Sequence, residues 1–137
     1  MTIADGFTLH DRSSPLTKPW EPVYARRTES RYLLGLEVRV EHTNSRGLLH
    51  GGLIAALADN AMGLSLWQML ISEDQPASRG AMTTSLAVDY RDRAEIGEWL
   101  EIVTGFIHAG RRTAVTQALI TAGGRPIARA NAAFAFG

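Results

Sequence analysis

The 137-residue sequence contains no cysteine. Disulfide bonds, thiolate metal sites and a cysteine nucleophile are therefore excluded. An excess of either charge is also missing, because 14 Lys and Arg residues balance 14 Asp and Glu residues and leave a formal net charge of +0. Without excess positive charge, the chain has no electrostatic attraction for nucleic acid or for an acidic membrane surface. We expect neither of them as a partner.

Several functional motifs are missing as well. The sequence has no Gly-x-Ser-x-Gly elbow, no phosphate-binding loop and no Gly-x-Gly-x-x-Gly fingerprint. It has no His-x-x-x-His pair, and His10, His42 and His108 lack partners at metal-ligand spacing, so a metal site is not expected. The first residues lack the basic and apolar regions of a secretory signal, which makes a cytoplasmic location the default expectation.

The length predicts one domain, large enough to bury roughly 70% of the surface of the unfolded chain. Residues 1–30 are predicted to form an extended or partly helical lead-in segment, because three prolines interrupt it, at positions 15, 19 and 22. We expect Trp20 and Tyr24 to attach this segment to the body of the protein, with a substrate lid as the alternative role. Residues 31–137 are assigned to the main domain.

The longest apolar run extends from Gly51 to Leu70 and approaches the length needed to cross a bilayer. Four polar residues interrupt it: Asp59, Asn60, Ser65 and Gln68. On a helical wheel these residues are scattered, so no continuous polar face exists. The pattern predicts one long helix that is wrapped by protein on most sides. A lone carboxylate in such a helix, Asp59, is costly unless it is used or neutralised.

The remaining sequence is β-rich. Alternation in the second half of residues 32–42 predicts a half-buried strand with Leu36, Val38 and Val40 on one face. Four more strands are predicted after the helix and a polar loop at 72–79: residues 81–90, 99–108, 113–121 and 127–136. Together these elements predict an α+β fold, in which a mostly antiparallel sheet of five to six strands wraps one long central helix.

The alternation also assigns faces within two of these strands. In the first strand after the helix, it places Thr84 on the same face as Leu86, Val88 and Tyr90. In the next strand it groups five residues on one face: Leu100, Ile102, Thr104, Phe106 and His108.

The stretch from Asn44 to Gly52 precedes the helix. A Gly-Gly step at residues 51–52 leaves backbone N–H groups bare at the start of that helix. Bare N–H groups at a helix N-terminus favour the binding of negative charge.

The pattern Asn-x5-His-Gly-Gly at residues 44–52, with an acid nine residues after the histidine, resembles the hotdog-fold acyl-CoA thioesterases. The resemblance is greatest to the branch of the phenylacetic-acid-pathway thioesterases and thioesterase superfamily member 2, and it extends from about Tyr32 to the C-terminus. It implies a central helix enclosed by the sheet. It also implies a homodimer or tetramer, in which two chains form one continuous sheet and each active site uses residues of both chains.

The resemblance implies catalytic roles for Asp59 and Gly51. Asp59 matches the catalytic acid of the family, which acts either as a general base on water or as a nucleophile on the thioester carbonyl. Gly51 matches the residue whose backbone N–H donates to the thioester oxygen. For Gly52, close packing and backbone approach are the expected roles.

Three further residues match polar positions near the thioester. His50 and Asn44 either contact the carbonyl or order their loop, because asparagine often bonds local backbone. Thr83 matches a serine or threonine that helps to hold the attacking water, the alternative being a plain strand threonine. Relatives often have a proline where this chain has Arg93.

The turn Gly110-Arg111-Arg112-Thr113 matches the Gly-basic-Thr turn that contacts coenzyme A in relatives. Arginine suits phosphate groups because its planar fork makes paired hydrogen bonds. Arg91 and Arg93 are expected to add to the same basic rim. For each arginine, a solvated surface charge is the alternative.

The resemblance therefore implies an acyl-CoA thioesterase that needs no cofactor, with coenzyme A present only as part of the substrate. The alternatives are a non-catalytic acyl-CoA binding protein and a hotdog enoyl-CoA hydratase. The hydratases usually carry a His-Phe-Pro-Gly block or an Asp-x4-His step, and neither is present in this chain.

Overall fold

A computed structural model describes residues 3–76 and 80–137. It contains one α-helix, α1, and seven strands, whose bounds are β1 Thr8–Leu9, β2 Tyr24–Arg27, β3 Tyr32–Glu37, α1 Gly51–Ser72, β4 Ala81–Tyr90, β5 Trp99–Ala109, β6 Thr113–Ala122 and β7 Arg125–Phe136. The strands form one sheet in the order β1-β2-β3-β5-β6-β7-β4, and every neighbouring pair is antiparallel. The predicted α+β architecture is confirmed.

The sheet has seven strands rather than the predicted five to six, because the lead-in segment supplies β1 and β2. The prolines do prevent a long helix there, and the segment contains only a short 3-10 turn at Lys18–Trp20. As predicted, Trp20 packs against the main core and Tyr24 is buried. The division of the chain at residue 30 stays a prediction.

The helix α1 begins directly after His50, whose Nδ1 accepts a hydrogen bond from the Gly52 N–H at 2.8 Å and so caps the N-terminus. It extends two residues beyond the predicted end and terminates at Ser72, whose hydroxyl donates to the Met69 carbonyl at 2.7 Å. Of the polar loop predicted to follow, residues 77–79 lie outside the described residues.

Small residues let α1 lie close to the sheet. Ala58 and Ala61 are fully buried on the helix, and the inner face of β6 and β7 is lined mainly by buried alanines, at positions 114, 118, 122, 128, 130 and 132. The helix has the length and the apolar composition of a membrane span, but half of its most apolar 18-residue segment is buried inside the fold. The predicted burial of this helix is confirmed.

Two β-bulges overturn the face assignments that alternation gave. In β4 the register shifts between Thr83 and Ser85, so Thr83, rather than Thr84, shares the helix-facing side with the later inward residues. In β5 it shifts between Thr104 and Phe106, and Phe106 is 56% exposed on the outer face instead of sharing the face of Leu100 and Ile102. One extra residue moves every later side chain of the strand to the opposite face.

The strand predicted over residues 32–42 is shorter than expected. It ends at Glu37, and residues Val40–His42 form a 3-10 turn. Val38 is buried as predicted, but Val40 is 68% exposed rather than on the buried face. The turn forms because the His42 Nδ1 accepts from the Arg39 backbone N–H at 2.9 Å.

His42 connects three parts of the chain. Its Nε2 lies 2.8 Å from the Trp20 carbonyl in the lead-in segment, and its own carbonyl accepts from the His50 N–H at the start of α1. Because Nδ1 accepts from Arg39 while Nε2 donates to Trp20, the ring is neutral in this arrangement. Burial, partly opposed by the Trp20 carbonyl, lowers the pKa of His42.

The two edges of the sheet differ. The edge strand β1 has two residues, whereas β4 at the opposite edge has ten. Met82 and Leu86 on β4 are 68% and 39% exposed. A long edge strand with exposed apolar side chains is a template for pairing with another chain.

We predict that acid weakens the fold through His42. The folded-state pKa lies below the ordinary value of 6.5, so the unfolded chain takes up a proton first as the pH falls below 6.5. Stability should therefore fall from pH 6.5 downward until the folded pKa is passed. Thermal unfolding at pH 7.5 and 5.5 measures this loss, and an NMR titration of the His42 ring should give a midpoint below 6.5.

Burial also lowers the pKa of His10, so His10 contributes in the same pH range. The control is His10→Asn, which should retain part of the acid sensitivity. Asp92 and Glu98, whose pKa values are lowered by hydrogen bonds from Arg93 N–H and Arg125 respectively, titrate at more acid pH. An NMR midpoint for His42 at or above 6.5 would contradict the prediction.

Candidate active site

The candidate site is centred on Asp59, midway along α1. Asp59 Oδ1 accepts a hydrogen bond from the Thr83 hydroxyl on β4 at 2.7 Å. No other hydrogen bond or ion pair to the Asp59 carboxylate is formed within residues 3–76 and 80–137. The carboxylate thus keeps Oδ2 for another partner. The structure brings together these two predicted residues, which are 24 positions apart in the sequence.

The bulge in β4 orients the Thr83 side chain towards the Asp59 carboxylate. Thr83 pairs with Phe134 and Ser85 with Ala133, so Thr84 is the extra residue on this strand. The Thr84 hydroxyl is occupied by the Ala133 carbonyl at 3.2 Å. Bulges of this kind commonly redirect a side chain beside a functional site.

A cleft of about 250 Å³ opens beside the two residues, between α1, β4 and β7. Its polar end is formed by Asp59, Asn60 and Thr83. The rest is mostly apolar and is lined by Gly63, Leu64, Leu66, Trp67, Leu70, Phe134 and Phe136, among others. A polar group at the end of an apolar recess suits a ligand whose reacting atom is attached to a hydrophobic group.

The N-terminus of α1 presents a second set of predicted residues. The Gly52 N–H is bonded to the His50 ring, and the Leu53 and Ile54 N–H groups donate to the His50 carbonyl. Within the described part of the chain, no acceptor takes the Gly51 N–H. This donor therefore lies at the positive end of the helix dipole and is available to a ligand.

Tyr90 fixes the position of Gly51, and sequence reasoning missed this role. The Tyr90 hydroxyl donates to the Gly51 carbonyl, and burial raises the pKa of Tyr90, so the hydroxyl keeps its proton at neutral pH. A Cβ added to Gly51 would lie 3.2 and 3.3 Å from two Tyr90 ring carbons and 3.4 Å from the Tyr90 hydroxyl oxygen. Tyr90 was assigned only a strand face, and no local motif marks a tyrosine that contacts a glycine 39 positions away.

Asn44 is engaged in its own loop. Its Oδ1 accepts from the Arg46 and Leu48 N–H groups at 2.9 and 3.2 Å. Its backbone N–H also donates to the Leu48 carbonyl. This is the local backbone bonding that was the alternative to a substrate contact, and it shapes the loop that enters α1.

Gly51 and Asp59 cannot reach one small group from the same chain. They are separated by eight positions in one helix, which at 1.5 Å per residue is about 12 Å along the axis. Within one chain the Gly51 N–H and the Asp59 carboxylate therefore cannot contact the same small group of a ligand.

The turn at residues 110–113 lies at the same end of the sheet as the cleft. The Gly110 N–H donates to the Thr113 carbonyl, and the Arg112 carbonyl accepts from the Phe136 N–H, while Phe136 pairs with Ala81. Neither Arg111 nor Arg112 forms an ion pair with a carboxylate of the described residues. The turn presents two exposed, unpaired guanidinium groups near the cleft.

Arg91 and Arg93 do not join that turn in one chain, contrary to the expectation of one basic rim. They follow the opposite end of β4, about 30 Å away along a ten-residue strand. Arg91 donates to the Pro126 carbonyl at 3.0 Å, and Arg93 lies 3.8 Å from Glu95. Both therefore lie at the Tyr90 end, near the start of α1.

Within residues 3–76 and 80–137, no group of three or more His, Asp or Glu side chains is placed to hold a metal ion.

The family model described as the thioesterase superfamily matches residues 46–128. A Pseudomonas aeruginosa protein that is provisionally named an esterase is 33% identical over 135 residues, which are 98% of this chain and 97% of that protein. Human acyl-coenzyme A thioesterase 13 is 35% identical over 88 residues, which are 63% of this chain and 57% of that protein.

Solved structures share the fold at 22 to 24% identity. A Streptococcus mutans protein bound to acetyl CoA has a TM-score of 0.74 at 24% identity, covering 94% of this chain and 95% of that one. Zebrafish thioesterase superfamily member 2 has a TM-score of 0.72 at 24% identity, with coverages of 84% and 81%. A mutant of the Thermus thermophilus phenylacetic acid degradation protein PaaI has a TM-score of 0.73 at 22% identity, with coverages of 90% and 100%.

Two glycine-to-alanine variants should have opposite effects on stability. Gly51→Ala should lower the free energy of unfolding by about 1 kcal/mol, because its methyl group pushes on the Tyr90 ring and disturbs the hydrogen bond to the Gly51 carbonyl. Gly63→Ala should raise it by about 1 kcal/mol, because the added Cβ meets Phe134 at 3.6 Å, an ordinary contact, and alanine favours a helix interior.

Urea unfolding of both variants measures the difference, and Gly51→Ala combined with Tyr90→Ala provides the control. In the double variant the Tyr90 ring no longer meets the added methyl group. Gly51→Ala should therefore lower the free energy of unfolding less in the Tyr90→Ala protein than in the wild type. Equal stabilities for the two single variants would show that Tyr90 does not restrict residue 51.

Proposed function

The chain belongs to the thioesterase superfamily, and from this membership we propose that it hydrolyses acyl-CoA thioesters to a free acid and coenzyme A. The observation that carries the proposal is the hydrogen bond from Thr83 to Asp59 at the polar end of an apolar cleft. The acyl-CoA thioesterase among the relatives and the acetyl-CoA-bound structural neighbour support the choice of substrate class.

Asp59 activates the attacking water in this proposal. With Oδ1 bonded to Thr83, Oδ2 accepts a proton from water, and the Thr83 oxygen retains lone pairs that can hold the same water. The water oxygen then bonds to the thioester carbon. In the alternative route the carboxylate itself attacks the thioester carbon, the carbon–sulfur bond breaks to release the thiolate of coenzyme A, and water hydrolyses the resulting anhydride.

The Gly51 N–H stabilises the oxyanion that forms on the carbonyl oxygen. It is a backbone donor at a helix N-terminus, and the helix dipole adds to its effect. Collapse of the tetrahedral intermediate breaks the carbon–sulfur bond. The thiolate of coenzyme A leaves and takes up the proton held by Asp59.

Two chains are needed to assemble one site. Gly51 and Asp59 are about 12 Å apart in one chain, and β4 offers a free edge. Pairing two β4 strands antiparallel about Ala87 sets Ser85 opposite the partner's Asp89. Because Thr84 is the extra residue of the bulge, Thr83 then lies opposite the partner's Tyr90. Because Tyr90 contacts Gly51, Asp59 then faces the partner's Gly51. Each dimer has two such sites, and association of dimers into a tetramer stays open.

The nucleotide of coenzyme A binds outside the cleft. Arg111 and Arg112 present unpaired guanidinium groups at the cleft end of the sheet, which suits its phosphates. The same pairing of strands brings the partner's Arg91 and Arg93 from the far end of β4 towards this turn. The basic rim expected from the sequence is then formed by two chains. A cytoplasmic location, where acyl-CoA would be met, is part of the proposal.

We expect hydrolysis of a panel of acyl-CoA thioesters, measured as release of free thiol. Asp59→Asn should lower kcat by at least about 10²-fold, because the variant keeps the shape of the side chain but cannot take up the proton. Thr83→Val should lower kcat less, since the carboxylate remains.

The control for Asp59→Asn is Asn60→Asp in the same helix, which should not restore the activity of the Asp59→Asn protein. Tight binding of acyl-CoA without thiol release by the wild type would indicate a binding protein. Loss of enoyl-CoA absorbance without thiol release would indicate a hydratase.

The two-chain site can be tested by mixing two inactive proteins. Gly51→Pro removes the oxyanion N–H, and the backbone accepts proline at this first helical position because His50 is already extended, with φ −71 and ψ 129. Its Cβ meets Tyr90 as an alanine Cβ does. Gly51→Ala keeps the N–H and controls for added bulk. The loss in kcat for Pro relative to Ala should be about 10²- to 10³-fold.

Coexpression of Gly51→Pro with Asp59→Asn should then restore activity. Each heterodimer has one site with both residues intact, and random pairing yields about a quarter of the wild-type sites. Two differently tagged copies of Asp59→Asn serve as the control and should stay inactive. No recovery in heterodimers that are isolated through both tags would contradict a site shared between chains.

A further inference from the structure

The loop of residues 91–98, which joins β4 to β5, holds the segment that leads into α1. The Leu49 N–H donates to the Ala94 carbonyl of this loop at 3.0 Å. From the last residue of β4, the Tyr90 hydroxyl donates to the Gly51 carbonyl. The backbone that presents the Gly51 N–H is therefore bonded, before and after His50, to one continuous stretch of chain.

Little apolar packing holds the loop itself. Of its eight residues only Ala94 is buried, and Ile96 is 54% exposed. The chain reverses at Gly97, whose φ of +93° lies in the region that favours glycine. A segment with so few buried apolar contacts opens easily unless polar contacts restrain it.

Arg125, the first residue of β7, supplies such contacts. Its Nε donates to Asp92 Oδ2 at 2.9 Å and its Nη1 to Glu98 Oε1 at 2.7 Å. Its Nη2 donates to the Arg93 carbonyl at 2.6 Å and to Glu98 Oε2 at 3.3 Å, and Nη1 also reaches the Ala122 carbonyl at 3.2 Å. Because Asp92 and Glu98 lie near the two ends of the loop, one planar guanidinium group closes it.

The two carboxylates carry this restraint into the loop backbone. Asp92 Oδ1 accepts from the Arg93 N–H at 2.8 Å, and Glu98 Oε2 accepts from the Glu95 N–H at 2.8 Å. Arg93 and Glu95 flank Ala94. The network therefore fixes the peptide groups on both sides of the residue whose carbonyl binds the segment before α1.

The exposure of these groups favours a geometric role over a contribution to stability. The side chains of Arg125 and Asp92 are 40% and 41% exposed, and that of Glu98 is 26% exposed. Exposed ion pairs of this kind contribute little to the free energy of unfolding. Arg125 nevertheless forms five hydrogen bonds, as many as a guanidinium group has N–H donors, so its position is fully specified.

We propose that Arg125 is a positioning residue for the oxyanion donor. By closing the loop of residues 91–98 it holds Leu49 and Tyr90 in place, and through them it fixes the direction of the Gly51 N–H. The inference rests on the proposed thioesterase function. It adds a residue outside the cleft on which the rate of the chemical step depends.

The first test is the pair of variants Arg125→Gln and Arg125→Lys. Glutamine is shorter and uncharged, and the lysine ammonium has three donors and no planar fork, so neither can bridge the same groups. Both should lower kcat by about 10- to 100-fold, because a displacement of about 1 Å at a positioned group can cost about 10²-fold.

Arg129→Gln is the matched control. Arg129 lies in the same strand, and its guanidinium forms an exposed ion pair with Asp89 at 3.0 Å. This variant should keep the wild-type kcat. Wild-type kcat in both Arg125 variants, or an equal loss in the Arg129 variant, would overturn the proposal.

The route through Gly51 is tested in the Gly51→Pro protein, which lacks the N–H. If Arg125 acts by orienting that donor, Arg125→Gln should lower kcat little further in this background, because residues that act as one unit are not additive. A loss as large as that in the chain with Gly51 would show that Arg125 acts elsewhere and would contradict the proposal.

Arg125→Ala allows the missing group to be returned. Guanidinium chloride, far below the concentrations that unfold the protein, should restore part of kcat, because the free ion can bridge the same carboxylates. Guanidinium weakens folded proteins in general, so recovery cannot come from a gain in stability. Methylammonium chloride at the same concentration is the control. Recovery with both salts or with neither would count against a role of the guanidinium group.

Hydrogen exchange separates this inference from the proposed function, because it needs no turnover. In Arg125→Gln the Leu49 N–H should exchange faster than in the wild type. The Thr28 N–H, which donates to the Arg31 carbonyl before β3, should not change. Faster Leu49 exchange in a protein that hydrolyses no thioester would support the positioning role and reject the thioesterase. Hydrolysis with wild-type kcat and wild-type Leu49 exchange in the Arg125 variants would do the reverse.

Discussion

An α-helix cannot bring together two groups that are eight positions apart along it. Gly51, with its free N–H, and Asp59, with its free carboxylate oxygen, are in this situation, and the rest of the fold is arranged around that spacing. Thr83 contacts Asp59 from one end of β4, and Tyr90 contacts Gly51 from the other. The strand that carries both contacts is the one left at the long open edge of the sheet. All the groups proposed for the chemistry therefore lie along the border at which a second chain would join.

The helix and its carboxylate could be predicted from the sequence because their signals are local. An apolar run with one acid and no polar face specifies a buried helix whatever surrounds it. The Thr83–Asp59 contact could not be derived in the same way. Strict alternation placed Thr84 on the inner face, and only the bulge at this point exchanges it for Thr83. A bulge depends on the register of the neighbouring strand, so it leaves no pattern in the residues of β4 alone.

The other differences have the same cause. Gly105 is the extra residue of the bulge that moves Phe106 outward. The early end of β3 follows from the ring of His42, which bonds the Arg39 N–H and, 22 positions away, the Trp20 carbonyl. The lead-in segment looked peripheral because its prolines and short runs carry no strong periodicity. Its strands β1 and β2 nevertheless extend the sheet, and its Arg12 lies over Trp67. Each of these features depends on long-range contacts.

The alanines on the inner face of β6 and β7 restrict which substitutions the core can accept. Alanine is the smallest residue that still carries a Cβ, so nearly every substitution there adds volume and pushes α1 away from the sheet. The oxygen-to-oxygen distance of 2.7 Å between Thr83 and Asp59 tolerates only a few tenths of an ångström before the bond weakens. A methyl group added in the core, far from the cleft, would therefore displace the whole helix α1 and with it the Asp59 carboxylate. The Thr83–Asp59 contact is therefore tied to the thickness of the interior, so substitution of these alanines is restricted by the geometry of that hydrogen bond as well as by packing.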